Sequence, residues 1–285
     1  MIKTVLVIGG TGELGAVVAH RLQDDGYQVR LLVRDRFRVA VSDAGFDYVD
    51  GHLDDTTMLE SALAGCDAVH ISVRGGPTAE QFDRVEHRGT ARVARLAALE
   101  GVKRLTYVSH SLAAPDAHAP DLRAKFQAEQ AIAASGVPYT VFRPTYFMET
   151  LPRHIRGRRA VILGRQRHPF HLVAAADYAR MVARAFSTPA VVDKVLYIHG
   201  PQAYVITEAL RTYCERLSPD TQVVTRPLWL MSLLDRTVLR GQLRGTLGLM
   251  RALQESGERG DATEANELLG APSITLAEWC ELRRQ

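Results

Sequence analysis

Gly9, Gly12 and Gly15 punctuate the run Gly9-Gly10-Thr11-Gly12-Glu13-Leu14-Gly15, directly behind the apolar run Val5-Leu6-Val7-Ile8. Glycines so spaced between a strand and a helix make a bed for a diphosphate. Gly9 permits the tight turn. Gly12 lets the main chain approach the anion with no Cβ in the way, and Gly15 lets the helix pack close to the strand. The phosphates then meet amide N–H groups at the positive end of the helix dipole. Thr11, Glu13 and Leu14 line the same loop. A glycine-rich turn that binds nothing is the plain alternative.

The end of the second strand discriminates between dinucleotides. An acidic residue there accepts hydrogen bonds from an unmodified adenosine ribose. Here Arg34 stands 19 residues after Gly15 (34 − 15), followed by Asp35, Arg36 and Arg38. A guanidinium pairs bidentately with a 2′-phosphate. NADP(H) is therefore expected, with NAD(H) as the less favoured choice through Asp35.

These residues must be carried by alternating strands and helices. Apolar runs predict strands at Val5–Ile8, Tyr27–Val33, Phe46–Val49, Ala68–Ser72, Arg104–Val108 and Tyr139–Phe142. Helical spacing predicts Glu13–Asp25, with Leu14, Val17, Val18, Arg21 and Leu22 on one mostly apolar face, then Thr78–Glu100 and Asp121–Ser135. Gly26, Gly101 and Gly136 end them. Such alternation implies right-handed crossovers and a doubly wound, Rossmann-type parallel sheet over residues 1–150. Residues 151–285 break the rhythm and read as a smaller C-terminal lobe on the substrate or partner side, not an independent domain. In that lobe Asp177 opens a helix, Val195–Ile198 forms a further strand and Thr207 caps another helix. Thr275 to Glu278 makes a capping box.

Composition excludes several classes. With 285 residues, 46% hydrophobic and 24% charged, the chain is an ordinary globular protein. Its net charge of +3 does not imply nucleic-acid binding. Cys66, Cys214 and Cys280 are odd in number and far apart, so no disulfide framework or zinc site is expected, and a cytoplasmic home fits. No apolar run approaches the roughly 20 residues of a membrane span. The first residues do not read as a signal peptide.

The loop, together with Val33-Arg34-Asp35, resembles the NmrA-like group of atypical short-chain dehydrogenase/reductases. Further resemblance lies in Asp67-Ala68-Val69, Tyr107-Val108-Ser109, Ser135-Gly136-Val137-Pro138-Tyr139-Thr140, Phe142-Arg143-Pro144 and Phe147-Met148-Glu149, and in the tail Leu268-Leu269-Gly270-Ala271-Pro272 with Glu278-Trp279. The resemblance implies strand order 3-2-1-4-5-6 with an added seventh strand. It also implies that Asp54 contacts the adenine, that Ser72 and Val73 lie along the cofactor, and that Pro144 and Thr145 flank the nicotinamide.

The broader family uses a Tyr-x-x-x-Lys pair and an upstream serine, the lysine lowering the tyrosine pKa so that the phenol donates a proton. Lys125, 16 residues after Ser109 (125 − 109), is the candidate lysine, but Asp121 stands where the tyrosine belongs. Ser109, His110, Ser111 and Tyr146 are candidate substitutes, His110 because an imidazole titrates near neutrality. His110 as an idle loop residue and Lys125 as a surface lysine are the alternatives. No GxSxG elbow supports hydrolase chemistry. Hydride transfer to a quinone, dye or activated alkene can take its proton from water, so the missing tyrosine argues only against simple ketone reduction.

In the lobe, Arg153, Arg156, Arg158, Arg159, Arg165 and Arg167 crowd one stretch without an acidic residue between Thr150 and Ala176. They suit an anionic partner or a solvated loop. Leu228–Leu253 is apolar, with Arg236, Arg240 and Arg244 beside it and Gly241, Gly245 and Gly248 predicting a bend or break. Core packing with a lid over the nicotinamide is expected there, with an amphipathic surface for a partner or a membrane interface as the alternative. Two functions stay open: an NADPH-dependent oxidoreductase passing hydride to a small apolar quinone or enone, and a non-catalytic NADP(H)-sensing regulator or assembly factor with a protein partner. A homodimer is compatible with either.

Overall fold

A computed structural model describes residues 2–35, 45–76, 78–238 and 241–284; Arg36, Arg38 and Arg240 of the sequence reading lie outside the described residues. Strands β1 (Thr4–Ile8), β2 (Gln28–Val33), β3 (Asp47–Asp50), β4 (Ala68–Ile71), β5 (Arg104–Val108) and β6 (Tyr139–Pro144) alternate with helices α1 (Glu13–Asp24), α2 (Thr56–Leu63), α3 (Ala79–Phe82), α4 (Thr90–Leu99) and α5 (Pro120–Ala134). A seventh sheet strand, β11 (Lys194–Ile198), arrives later in the chain. The sheet order is β3-β2-β1-β4-β5-β6-β11, as the resemblance implied. All its pairings are parallel, with Val7 between Leu31 and His70 and Pro144 opposite Ile198.

Both faces of the sheet are covered, which is why the strands read as continuous apolar runs. Val5 and Val7 point to one side and join Val18 and Leu22 of α1 with Tyr178 and Met181 of α6 (Ala175–Ala185). Leu6 and Ile8 point to the other and join Leu59, Leu96 and Ile132. On α1 the fully buried positions are Gly15, Val18, Ala19 and Leu22. Arg21 instead turns out to pair with Asp25 at 3.0 Å.

The expected helix Thr78–Glu100 begins with a capping box between Thr78 and Gln81, but a π-helical stretch, Asp83–Gly89, separates α3 from α4. Glu86 lies on this stretch and is buried.

Beyond β6 the chain makes the short strands β7 (Tyr146–Phe147), β8 (Ile155–Arg156), β9 (Arg159–Leu163), β10 (Pro169–Val173), β12 (Ala203–Val205) and β13 (Gln222–Arg226). They form two small sheets, β12-β10-β7 and β13-β9-β8. With α7 (Ile206–Leu217), α8 (Leu228–Thr237), α9 (Arg244–Ser256), α10 (Thr263–Leu269) and α11 (Leu276–Leu282) they build a third apolar cluster. That cluster includes Leu112, Ala119, Leu122 and Tyr146 from the carboxyl edge of the large sheet. The lobe is thus welded to the edge where an α/β sheet places its ligand.

Three local expectations change. Val205, not Thr207, precedes α7, and Thr207 lies inside that helix without capping it. Asp177 sits within α6 and accepts N–H groups of Ser273 and Ile274 at 2.9 and 2.8 Å, so it fastens the C-terminal tail instead of opening the helix. The stretch after Leu228 splits at Gly241 (φ +84°), where glycine is needed. Only its second half is core: Leu247, Met250 and Leu253 are buried, whereas Trp229 is 69% and Val238 66% exposed. Thr275 and Glu278 do form the capping box of α11. Among the described residues no helix is long and apolar enough to cross a membrane.

Candidate functional site

The glycine loop fits its expected cargo. Gly9 has φ +82°, and a Cβ on it would lie 2.1 Å from the carbonyl oxygen of Ser72. A Cβ on Gly15 would lie 2.1 Å from the Gly9 oxygen. The amide of Gly12 closes the turn onto Gly9 O at 2.9 Å. Gly12 then serves as N-cap of α1 with no side chain on the first-turn amides. Thr11 and Gly12 are exposed, Glu13 and Leu14 half-buried. The result is a helix N-terminus free of any side-chain cap behind a turn that admits close approach, which suits a diphosphate.

Glu13, at the first position of α1, sets a carboxylate beside that bed. Arg153 neutralises it at 2.6 Å. The other arginines of the basic stretch disperse: all are exposed, Arg156 donates to the carbonyls of Arg153 and Ile155, and Arg158 lies 3.8 Å from Asp220.

Arg34 and Asp35 are exposed at the end of β2. Register pairs Ile8 with Leu32, so Arg34 stands beside the loop that follows β1. Asp54, after β3, faces Arg92 at 3.5 Å and Arg84 at 3.9 Å, two cations that compete with any adenine contact. Ser72 donates its amide to Ile8 O at 2.9 Å, which holds Ser72 and Val73 against the loop. Pro144 O accepts the Ser111 amide at 2.9 Å. Thr145 is buried, with its hydroxyl on His171 O and its amide on Ile198 O at 3.2 Å.

Lys125 is no free surface lysine. Its Nζ lies 3.1 Å from Glu86 Oε2, 3.2 Å from Val108 O and 5.4 Å from the centre of the Tyr107 ring. Glu86 is buried, and its other oxygen accepts the Gly75 amide at 2.9 Å. Asp121, one turn before Lys125 on α5, has a buried Oδ1 with no hydrogen-bond partner among the described residues. Burial, and then the Glu86 charge, push its carboxyl up to about 6.

The other candidate acids are differently occupied. His110 does not titrate near neutrality: burial, and then Lys125, hold it down at about 3. Its Nδ1 accepts the Leu112 amide at 3.0 Å, which leaves a neutral ring with its proton on Nε2. The Ser109 hydroxyl donates to Glu129, whose carboxylate Arg143 clamps at 3.0 and 2.5 Å. Ser109 therefore braces β5 against α5. Tyr146 OH donates to His154 Nε2 at 2.8 Å, because Nδ1 of that ring faces Val161 O at 3.0 Å.

The sequence does not single out Glu86, and it offers Arg153 only as one of a basic stretch, not as the partner of Glu13. Glu86 shares a helical stripe with the buried Phe82, Thr90 and Val93, and an acidic residue in such a stripe is the available signal. Two motifs of the resemblance also meet: Trp279 Nε1 donates to the buried Glu149 at 2.7 Å.

The chain resembles known proteins throughout. A reductase of (4-alkanoyl-5-oxo-2,5-dihydrofuran-3-yl)methyl phosphate from Streptomyces griseus is 32% identical over 228 residues, covering 79% of this chain and 75% of the relative. The photosystem II assembly factor Ycf39 of Synechocystis is 27% identical, covering 78% and 70%. In fold, the chain matches a crystal structure of an NADPH-dependent quinone oxidoreductase from Escherichia coli with NADPH, at TM-score 0.76 and 22% identity over 99% of this chain and 100% of that one. A family model described as NAD(P)H-binding matches residues 9–189. This chain belongs to the NAD(P)H-binding, NmrA-like family of atypical short-chain dehydrogenase/reductases.

Proposed function

We propose that this protein is an NADPH-dependent oxidoreductase that passes hydride to a small apolar acceptor of the quinone or enone type. The observation that carries the reading is the polar group at the sheet's carboxyl edge: Lys125 locked by Glu86, with the underpaired carboxyl of Asp121 one turn away, beneath an apolar lobe that reaches Leu112 and Tyr146. The cofactor supplies the hydride. Gly9, Thr11, Gly12, Glu13, Leu14 and Gly15 hold its diphosphate, and Arg34 selects NADPH by receiving the 2′-phosphate. Ser72, Val73, Pro144 and Thr145 line its nicotinamide half, and Lys125 orients the ribose beside them. Asp54 serves the adenine only if Arg84 and Arg92 release it.

Asp121 takes the proton-donor position left by the missing tyrosine. A carboxyl near 6 is still protonated in about one molecule in ten at pH 7. That suffices for an enone, whose carbanion needs a proton, whereas quinones and dyes draw protons from water. Neutral His110 contributes at most an Nε2–H hydrogen bond. The test is an NADPH-oxidation assay over quinones, enones, aldehydes and dyes. Turnover confined to quinones or enones supports the reading, and absence of turnover with all of them refutes it.

A second reading rests on α8, whose Trp229 and Leu233 expose apolar surface, and on the similarity to an assembly factor. In that reading the chain is a cofactor-sensing partner protein. It predicts binding to a protein partner that differs between NADP⁺ and NADPH, without turnover.

A further inference from the structure

His171, His199 and Glu258 are distant in sequence but meet where β10, the end of β11 and the segment after α9 converge. Their ligand atoms lie within 4.8 Å of one another. Glu258 Oε1 stands 2.7 Å from His171 Nδ1 and 3.3 Å from His199 Nδ1. The two imidazoles stack, with centroids 5.5 Å apart and planes 12° from parallel. We propose that His171 Nδ1, His199 Nδ1 and Glu258 Oε1 form a binding site for one divalent cation of the zinc type, a site separate from the dinucleotide cradle.

Hydrogen bonding makes the first argument. His199 Nε2 lies 3.4 Å from the carbonyl oxygen of Arg259, an acceptor, so the ring proton belongs on Nε2. Nδ1 of a neutral His199 then presents a lone pair to Glu258 Oε1, which is also an acceptor. Two lone pairs at 3.3 Å repel unless a proton or a metal ion lies between them. A metal-bound imidazole ordinarily donates its other N–H to a carbonyl or carboxylate, and Arg259 O has that placement.

The carboxylate is also pre-positioned. Glu258 Oε2 accepts the backbone N–H of His171 at 2.6 Å, which turns Oε1 toward both rings. Zinc bonds near 2.0–2.1 Å in a tetrahedral shell put neighbouring ligand atoms about 3.3–3.5 Å apart. The His199–Glu258 spacing of 3.3 Å already matches. The His171–Glu258 spacing of 2.7 Å opens by about 0.7 Å when metal replaces the shared proton, which shifts to Nε2 of His171. Two imidazoles and a carboxylate favour zinc, cobalt or nickel over magnesium or calcium. The side chains are 38%, 15% and 17% exposed, so the ion can enter and a water can fill the fourth position.

Location suggests what the ion does. Thr145 donates its hydroxyl to His171 O and its amide to Ile198 O, next to both histidines. A cation there ties the segment after α9 to the two strands that hold the Thr145 loop. It acts as a clamp behind the loop, not as a Lewis acid in front of it.

The test uses untagged full-length protein stripped with a chelator. Cobalt(II) is titrated while the visible d–d bands are followed, and zinc is titrated calorimetrically. One equivalent per chain is expected, with affinity at least 100-fold weaker in His199→Ala and in Glu258→Gln. Far-ultraviolet circular dichroism reports whether either variant has unfolded. If both have, loss of the His171 and His199 imidazole resonances on adding one equivalent of cobalt to the wild type decides the matter. Absence of cobalt bands at millimolar metal, or unchanged affinity in folded variants, overturns the site and leaves a hydrogen-bonded His–Glu–His cluster.

Discussion

Asp121→Asn should make this protein more stable and less active at once. In the fold the carboxyl rises from its ordinary 3.8 to about 6, chiefly through burial and then through Glu86. At 1.36 kcal/mol per tenfold change, the charged form costs about 3 kcal/mol at most. Asparagine keeps the shape and removes the charge, but it loses the favourable interaction of a carboxylate with the start of α5 and with Lys125. A gain of about 1–3 kcal/mol at pH 8 is therefore expected. The sign follows from proton counts. Between pH 4 and 6 the folded wild type binds the proton more tightly than the unfolded chain, so its stability falls as pH rises through that window. The gap between variant and wild type should thus be near zero below pH 4 and complete above pH 6. Urea denaturation of both proteins across this range measures it, with other titrating groups cancelling in the difference. In parallel, enone turnover should drop about 100-fold, the usual scale for a lost general acid. A gap that does not change with pH would refute the account of burial. Unchanged enone turnover would remove Asp121 from the proton path.

Three other perturbations follow from the same geometry. Arg34→Ala should abolish most of the preference for NADPH over NADH, read by fluorescence titration at low salt, while NADH affinity stays within about twofold. Gly15→Ala forces a Cβ to 2.1 Å from Gly9 O, so dinucleotide affinity should fall at least tenfold in calorimetry even where the folded yield is preserved. His70, buried in β4 with Nδ1 on Thr106 Oγ1 at 2.9 Å, is held at about 3 by burial, as is His110. The folded state binds fewer protons there than the unfolded chain, so stability is lost as pH falls below 6.5, by about 2 kcal/mol per histidine at pH 5. His70→Gln should halve that loss in acid-denaturation curves.

The glycine loop is legible because it is local: strand, turn and helix N-terminus lie within a dozen residues, and Gly9 and Gly15 each answer a steric demand. The sheet order came from the resemblance, and the alternating apolar runs agree with it. The proposed acid is harder to see. Asp121 reads only as the absence of the standard acid, since the pattern asks for tyrosine there. Its raised carboxyl depends first on burial and then on Glu86, which lies on the π-helical stretch of another element. Ser109 was placed correctly at the end of β5 but is held by Glu129 and Arg143, neither suggested by its neighbours in sequence. The apolar stretch after Leu228 read as one core-facing unit because periodicity reports amphipathicity and not what covers it, and α8 shows the difference. The His171–Glu258 contact spans 87 residues, beyond any spacing rule.

Magnitudes also weigh on the choice between reductase and regulator. A cofactor can shift partner binding only through contacts that differ between its states. In the proposed binding mode the diphosphate end reaches the lobe through Glu13 and Arg153, whose side chains are 29% and 45% exposed. Such a pair is worth about 0–1 kcal/mol, which limits coupling along it to roughly fivefold. The diphosphate is, moreover, identical in NADP⁺ and NADPH, so this route cannot sense redox state at all. In the proposed binding mode a redox-dependent regulator would need its signal to pass from the nicotinamide through the Thr145 hydroxyl on His171 O to the β7–β10 ladder, a path of strand pairing that resists displacement. A reductase asks less of the same atoms: a fixed Thr145 loop, a fixed Lys125 and a carboxyl with a proton to give. The rigidity that hinders signalling is what orientation for hydride transfer requires.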